Sequence, residues 1–119
     1  MAKILIVDDA KFMRITLSNI LQSEGHDVIG EAENGKRAIE LYEKLQPDLV
    51  TMDITMPEMN GLAALEEIIS RDNNAKIIMC SAMGQQKLVV KAIELGAKDF
   101  LAKPFEENRV LESVNRILK

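Results

Sequence analysis

Tryptophan is absent from this 119-residue chain, and three Phe and one Tyr supply all of its aromatic rings. Sites built on stacked rings, such as a flavin sandwich or a single-stranded nucleic-acid platform, are thereby excluded. The single cysteine, Cys80, rules out an internal disulfide and a multi-cysteine zinc site, and the single histidine, His26, rules out a histidine cluster. Basic residues number 15 against 19 acidic ones, for a net charge of −4, and they form no block. No nucleic acid and no anionic membrane is expected as a partner. Long apolar runs are missing too. Ile4–Val7 is halted at once by Asp8 and Asp9, too soon for a signal peptide or a membrane span. A cytoplasmic location is the expectation. What remains is a chain that is 47% apolar and 29% charged, suited to one packed core and one domain over residues 1–119.

Short apolar runs alternate with longer segments of helical period. The runs are Lys3–Asp8, Asp27–Glu33, Asp48–Asp53, Lys76–Ser81 and Lys98–Ala102. The spacing predicts helices near residues 11–24, 35–46, 61–71, 85–95 and 106–118. Ala38, Leu41, Tyr42 and Leu45 recur at i, i+3, i+4 and i+7, as do Val89, Ala92, Ile93 and Gly96, while Val110, Val114, Ile117 and Leu118 line one face. Gly25 and Gly96 follow helices, Asn34-Gly35 precedes one and Pro47 closes one. Five repeats of βα imply a parallel sheet covered by helices on both faces, an α/β fold. Strands 1, 3 and 4 are nearly continuous in apolar residues and belong at the centre, whereas the mixed strands 2 and 5 belong at the edges. With sequential strands kept adjacent where possible, the order is 2-1-3-4-5, that of the doubly wound flavodoxin-like fold.

In open α/β sheets, ligands bind beyond the carboxyl ends of the strands where the winding reverses, here strands 1 and 3. Strand 1 ends in Asp8-Asp9 and strand 3 in Asp53. Three carboxylates in one crevice repel one another unless a cation offsets their charge. Oxygen donors suit a hard ion, and Mg²⁺ is the expected one. The loop Ile54-Thr55-Met56-Pro57 can add a backbone carbonyl. Strands 4 and 5 end in Ser81 and Lys103, a hydroxyl and an ammonium suited to phosphoryl oxygens. A carboxylate among them can act as nucleophile and carry the phosphoryl as an acyl phosphate. Taken singly, each residue has an ordinary explanation: a helix cap for the Asp pair, a turn for Asp53 or Ser81, a solvated cation for Lys103. Their convergence on one sheet edge favours the chemical reading.

Four elements occur in order: Ile6-Val7-Asp8-Asp9, Met52 through Gly61 (Met-Asp-Ile-Thr-Met-Pro-Glu-Met-Asn-Gly), Ser81-Ala82 and Lys103-Pro104-Phe105. In these elements and their spacing, the whole chain resembles the receiver domain of two-component response regulators. The length and the segment Ser81-Ala82-Met83-Gly84-Gln85-Gln86 look most like a single-domain chemotaxis regulator of the CheY type. The resemblance implies that Asp53 is the phosphoacceptor. It implies that Asp9, Asp53 and the backbone carbonyl of Thr55 ligate Mg²⁺ directly and that Asp8 acts through a bound water. By the same resemblance Lys103 pairs with the phosphoryl group, Ser81 hydrogen-bonds it, and Lys103–Pro104 is a cis peptide. Phe100 holds the position of a switch aromatic that is Tyr in many chemotaxis receivers. Ser81 and Phe100 would then form the coupled switch. Met83 and Thr55 occupy positions that vary among receivers and influence phosphoryl lifetime. The implied partners are a histidine kinase (CheA-like), a flagellar motor switch protein and a phosphatase, with the chain itself a monomer. With no effector following Lys119, output is expected to be a binding event.

Two other readings fit less well. A phosphorelay carrier, passing phosphoryl from Asp53 to a histidine phosphotransferase, differs only in partner. A small Mg-dependent aspartyl phosphatase of the haloacid dehalogenase type needs a second Asp two positions after the nucleophile, where Thr55 stands. His26 is expected at the surface of a helix-to-strand turn. Cys80 is expected to be a buried, inert thiol, and Met52 and Met79 to be core residues.

Overall fold

A computed structural model describes residues 2–119. Five strands, β1 (Lys3–Val7), β2 (Asp27–Ala32), β3 (Leu49–Asp53), β4 (Ile77–Ser81) and β5 (Asp99–Ala102), alternate with five helices. The helices are α1 (Lys11–Ser23), α2 (Gly35–Leu45), α3 (Gly61–Arg71), α4 (Gln86–Glu94) and α5 (Glu107–Leu118). All strand pairs are parallel, and the order is β2-β1-β3-β4-β5. The expected fold and strand order are both present.

The pleat sorts the strand residues into two layers. Leu5, Val7, Val50, Met52, Ile77 and Met79 pack with Ala38 and Leu41 of α2, Leu65 and Ile68 of α3 and Ala92 of α4. Ile4, Ile6, Leu49, Ile78, Cys80 and Leu101 pack with Leu17 and Leu21 of α1 and Val110 and Val114 of α5. Strands β3 and β4 are buried at every residue, as continuous apolar runs require. β2 is only partly covered, in keeping with its place at an edge. Asn34 caps α2 by accepting the Arg37 N–H, and Asn60 caps α3 by accepting the Ala63 N–H. Among the described residues, no helix is long and apolar enough to cross a membrane.

His26 differs from expectation. It is buried, and its Nδ1 accepts the Ala2 N–H at 3.2 Å. The turn after Gly25 folds under the start of β1, where the imidazole satisfies a main-chain donor that has no strand partner at that end.

A second buried polar group fixes the far edge. Asp99, at the start of β5, accepts hydrogen bonds from Ser113 Oγ (2.6 Å), Arg116 Nη2 (2.5 Å), Arg109 Nη1 (3.2 Å) and the Phe100 N–H (2.8 Å). Burial disfavours its charge, but the hydrogen bonds from Arg109, Ser113 and the Phe100 N–H, with the Arg109 charge, outweigh burial and hold the carboxyl below its ordinary range. The bonds clamp β5 to α5. Asp99→Asn is expected to cost about 1–3 kcal/mol at neutral pH, the worth of hydrogen bonds to a charged group. A carboxyl lowered on folding stabilises above its unfolded pKa and loses that contribution as pH falls through the folded value. The penalty should therefore shrink in acid, below about pH 4. Urea denaturation of both proteins at neutral and acidic pH checks this; an equal penalty at both would count against the clamp.

Candidate active site

The carboxyl end of the sheet is built from main-chain bonds that continue the strands into their loops. The Asp8 N–H donates to Ala32 O at 3.0 Å, the Ile54 N–H to Cys80 O at 3.1 Å and the Lys103 N–H to Ser81 O at 2.8 Å. Asp8, Asp53, Ser81 and Lys103 are thus held on adjacent strand ends, as the strand order demands. The Lys103–Pro104 peptide is cis.

Lys103 reaches back over the sheet edge. Its Nζ lies 2.8 Å from Asp8 Oδ2 and 3.3 Å from Asp53 Oδ1. Asp8 also accepts the Ala10 N–H at 2.8 Å, and its main-chain carbonyl accepts from Arg14 Nη1 at 2.6 Å. Arg14 is held in turn by Glu31, 2.8 Å away on β2. Asp8, Asp9 and Asp53 each present an oxygen, all within 4.8 Å of one another. Asp8 and Asp53 are buried, whereas Asp9 and Thr55 are exposed at the rim. Ser81 is 5% exposed.

The charges do not balance, since one ammonium faces three carboxylates. Burial pushes the Asp53 carboxyl up, the neighbouring Asp8 and Asp9 add to the effect, and Lys103 only partly offsets it, leaving a value of about 6. For Lys103, burial works against the charge, but the hydrogen bond to Asp8 and the charges of Asp53 and Asp8 outweigh it and raise its pKa. The lysine stays protonated. The donor set fits a hard divalent cation: three carboxylates in excess of charge, no imidazole beside them, and a thiol that is unavailable. Burial pushes Cys80 well above its ordinary value, so that this thiol stays protonated inside the α1–α5 layer.

Beside the carboxylates, a cleft of about 470 Å³ is lined by residues that include Ser81, Met83, Val89, Phe100 and Lys103. Phe100 is 39% exposed on the α4 side of β5, and Met83 is 95% exposed. The expected switch pair thus shares one cleft. Tyr42 packs in the α2–α3 layer and donates its hydroxyl to Asp72 at 2.8 Å, and Phe12 projects from α1 at 74% exposure. Neither ring joins the site.

The sequence reading overlooked Arg14, Gln85 and Gly61. Arg14 braces the Asp8 main chain. The Gln85 carboxamide bridges Thr55 and Ala82. The Gly61 N–H donates to Ile54 O at 2.7 Å, behind Asp53. Gly61 lies within the quoted Met52–Gly61 element, which was a usable signal. Gln85 likewise lies within the Ser81–Gln86 segment, but nothing there marks its side chain as reaching Thr55, and Arg14 is an ordinary polar residue of a helix with no spacing to mark it.

Comparison with known proteins identifies the family. The response regulator receiver domain model matches residues 4–115. The chemotaxis protein CheY of Thermotoga maritima is 58% identical over 117 residues, covering 98% of each chain. That of Bacillus subtilis is 60% identical over 116 residues, covering 98% of this chain and 97% of the relative. Among solved structures, the CheX-CheY-BeF3-Mg complex from Borrelia burgdorferi contains a chain that superposes with a TM-score of 0.94 at 39% identity, covering 98% of this chain and 89% of that one. A family model over residues 4–115, relatives 58–60% identical along nearly the whole chain and the shared fold converge: this chain belongs to the response regulator receiver domain family.

Proposed function

We propose that Asp53 accepts a phosphoryl group from the phosphohistidine of a CheA-like histidine kinase and that the phosphorylated chain signals in the cytoplasm by binding a flagellar motor switch protein. The observation that carries this reading is the Lys103 ammonium lying between Asp8 and Asp53 in a crevice that still holds excess negative charge. Asp8, Asp9, Asp53 and the Thr55 carbonyl would hold Mg²⁺, with Asp8 reaching it through water. When bound, that ion supplies the positive charge that offsets the carboxylates and the oxygens in transfer.

The chain's own residues do the rest. One Asp53 oxygen forms the new P–O bond as the P–N bond to histidine breaks, and the histidine nitrogen keeps the electron pair and takes up a proton. Asp53 must be ionised to attack, which a pKa near 6 permits at neutral pH. Lys103 presents its charge to the incoming oxygens and Ser81 its hydroxyl. Phosphorylation adds negative charge and three acceptor oxygens. Ser81 moves toward them, and the shared cleft gives the Phe100 ring room to turn inward. A partner that prefers the resulting surface of α4, β5 and α5 shifts the equilibrium further. Phe100 lacks the hydroxyl of Tyr, so the switch works by ring burial. The Borrelia burgdorferi neighbour was solved together with CheX and BeF3. A partner of that kind, and a phosphatase that shortens the life of the acyl phosphate, are proposed for this chain too, which acts as a monomer.

The test is titration of the chain, with and without acetyl phosphate and Mg²⁺, against a flagellar-switch N-terminal peptide and against a histidine phosphotransferase domain. Peptide affinity is expected to rise about tenfold on phosphorylation. Transfer of phosphoryl to the phosphotransferase domain without peptide binding would instead make the chain a phosphorelay carrier.

A further inference from the structure

We propose that Gln85 is a positioning residue of the phosphorylation site: its carboxamide latches the β3–α3 loop to the β4–α4 loop and occupies the Ala82 N–H until a phosphoryl group competes for it. The proposal rests on the reading of Asp53 as acceptor.

Gln85 Oε1 accepts the Ala82 N–H at 2.6 Å, and Gln85 Nε2 donates to Thr55 Oγ1 at 2.7 Å. One side chain therefore spans the two loops on either side of the Asp53 crevice. The aim of the Ala82 N–H follows from the ladder. Cys80 O accepts from Ile54 and so points toward β3, whereas Ser81 O accepts from Lys103 and points toward β5. Backbone groups alternate sides along a strand, so the Ala82 N–H, two residues past Cys80, again points to the β3 side, where Asp53 ends its strand. It is the first main-chain donor beyond β4 aimed at the Asp53 end, and Gln85 holds it.

A phosphoryl oxygen is a stronger acceptor for that N–H than a neutral carboxamide. Its arrival would displace Gln85 Oε1 and open the latch. Gln85 is also the N-cap residue of α4; its main-chain carbonyl accepts from Leu88 and Val89, each at 3.0 Å, while its side chain makes no capping bond. Release of the side chain therefore unties the residue that opens α4 from both loops, while its main-chain bonds to Leu88 and Val89 stay in place. Chemistry at Asp53 reaches α4 through one residue, alongside the Ser81–Phe100 route.

Two measurements test the latch. In the unphosphorylated chain, Gln85→Ala should speed hydrogen exchange of the Ala82 amide about tenfold. With acetyl phosphate and Mg²⁺, it should raise the phosphorylation rate several-fold, the scale of one partly exposed hydrogen bond. Thr55→Val should act in the same direction, the double variant should gain no more than Gln85→Ala alone, and Thr55→Ser should restore the parent rate. Denaturation midpoints should fall by no more than the worth of one exposed hydrogen bond, which separates positioning from a general loss of structure. An unchanged Ala82 exchange rate, a slower phosphorylation, or additive single effects would overturn the latch. If the parent chain itself takes up no phosphoryl group, the acceptor reading fails, and the exchange experiment still decides whether the latch exists.

Discussion

Asparagine in place of Asp53 is expected to take up no phosphoryl group and, without metal, to make the protein more stable at neutral pH. The loss of uptake follows from chemistry, because a carboxamide oxygen is too weak a nucleophile to form the acyl phosphate. The gain in stability follows from the crowding of charge. Asp53 is 6% exposed, shares its crevice with Asp8 and Asp9, and has only a 3.3 Å contact to Lys103 in return. Its pKa rises to about 6, against roughly 3.9 in the unfolded chain. An acid whose pKa is raised on folding binds more protons in the native state between those two values. Stability therefore falls as pH rises from about 4 to about 6 and stays lowered above that. At about 1.4 kcal/mol per pH unit, the ionised carboxylate costs on the order of 2–3 kcal/mol at pH 7. Asparagine removes that cost and forfeits a weak contact with Lys103. Added Mg²⁺ should reverse the ranking, since the parent gains binding energy that the variant largely lacks. Urea denaturation in EDTA and in Mg²⁺, together with mass spectrometry after acetyl phosphate treatment, checks both halves. Phosphoryl recovered on the variant would remove Asp53 from its role. A variant less stable than the parent at pH 7 in EDTA would refute the repulsion argument.

The strand order was readable because burial leaves a mark on composition. Leu49–Met52 and Ile77–Cys80 are apolar wherever both sheet faces are covered, apart from Thr51, while Asp27–Ala32 mixes polar residues at an edge. Once the order was set, the site followed, since Asp8, Asp9, Asp53, Ser81 and Lys103 all stand at strand ends on one rim. Cys80, Met52 and Met79 are buried as their runs suggested. His26 was misplaced because one polar residue after a glycine carries no sign of whether a distant main-chain donor will need it. The Asp99 clamp was missed for a different reason. Arg109, Ser113 and Arg116 repeat at helical spacing beside the apolar stripe of Val110, Val114 and Ile117, so a polar stripe was visible. Nothing in the sequence told that the stripe would converge on one buried carboxylate. Pairings across elements, such as Gln85 with Thr55 or Arg14 with the Asp8 carbonyl, depend on side-chain reach that periodicity does not encode.

Alanine in place of Gly61 should be the most disruptive single change of a glycine in this fold, and its effect should reach Asp53. A Cβ at that position would lie 2.0 Å from the Asp53 carbonyl oxygen, and 3.0 Å from both Asp53 C and Ile54 Cα. All three atoms are main chain, so no rotamer change relieves the overlap. The first turn of α3 must lift from the end of β3, breaking the 2.7 Å bond from Gly61 N–H to Ile54 O, or else the Asp53–Ile54 peptide must rotate. Helix propensity favours Ala over Gly by at most about 1 kcal/mol. Forced displacement of packed backbone exceeds the usual 1–3 kcal/mol of overpacking, so a net loss of about 3–5 kcal/mol is expected. Gly25 is the natural control. Its φ of +82° strains a substituent, but nothing lies within 4 Å, so Gly25→Ala should cost only about 1 kcal/mol. Urea midpoints of the two variants measure the contrast. Where Gly61→Ala remains folded, rotation of the Asp53 peptide carries the carboxylate away from Lys103 and Asp8. A shift of about 1 Å there should lower phosphorylation by acetyl phosphate on the order of a hundredfold. Equal stability losses for the two variants, or a Gly61→Ala protein phosphorylated at the parent rate, would show that β3 and α3 can part without moving the acceptor.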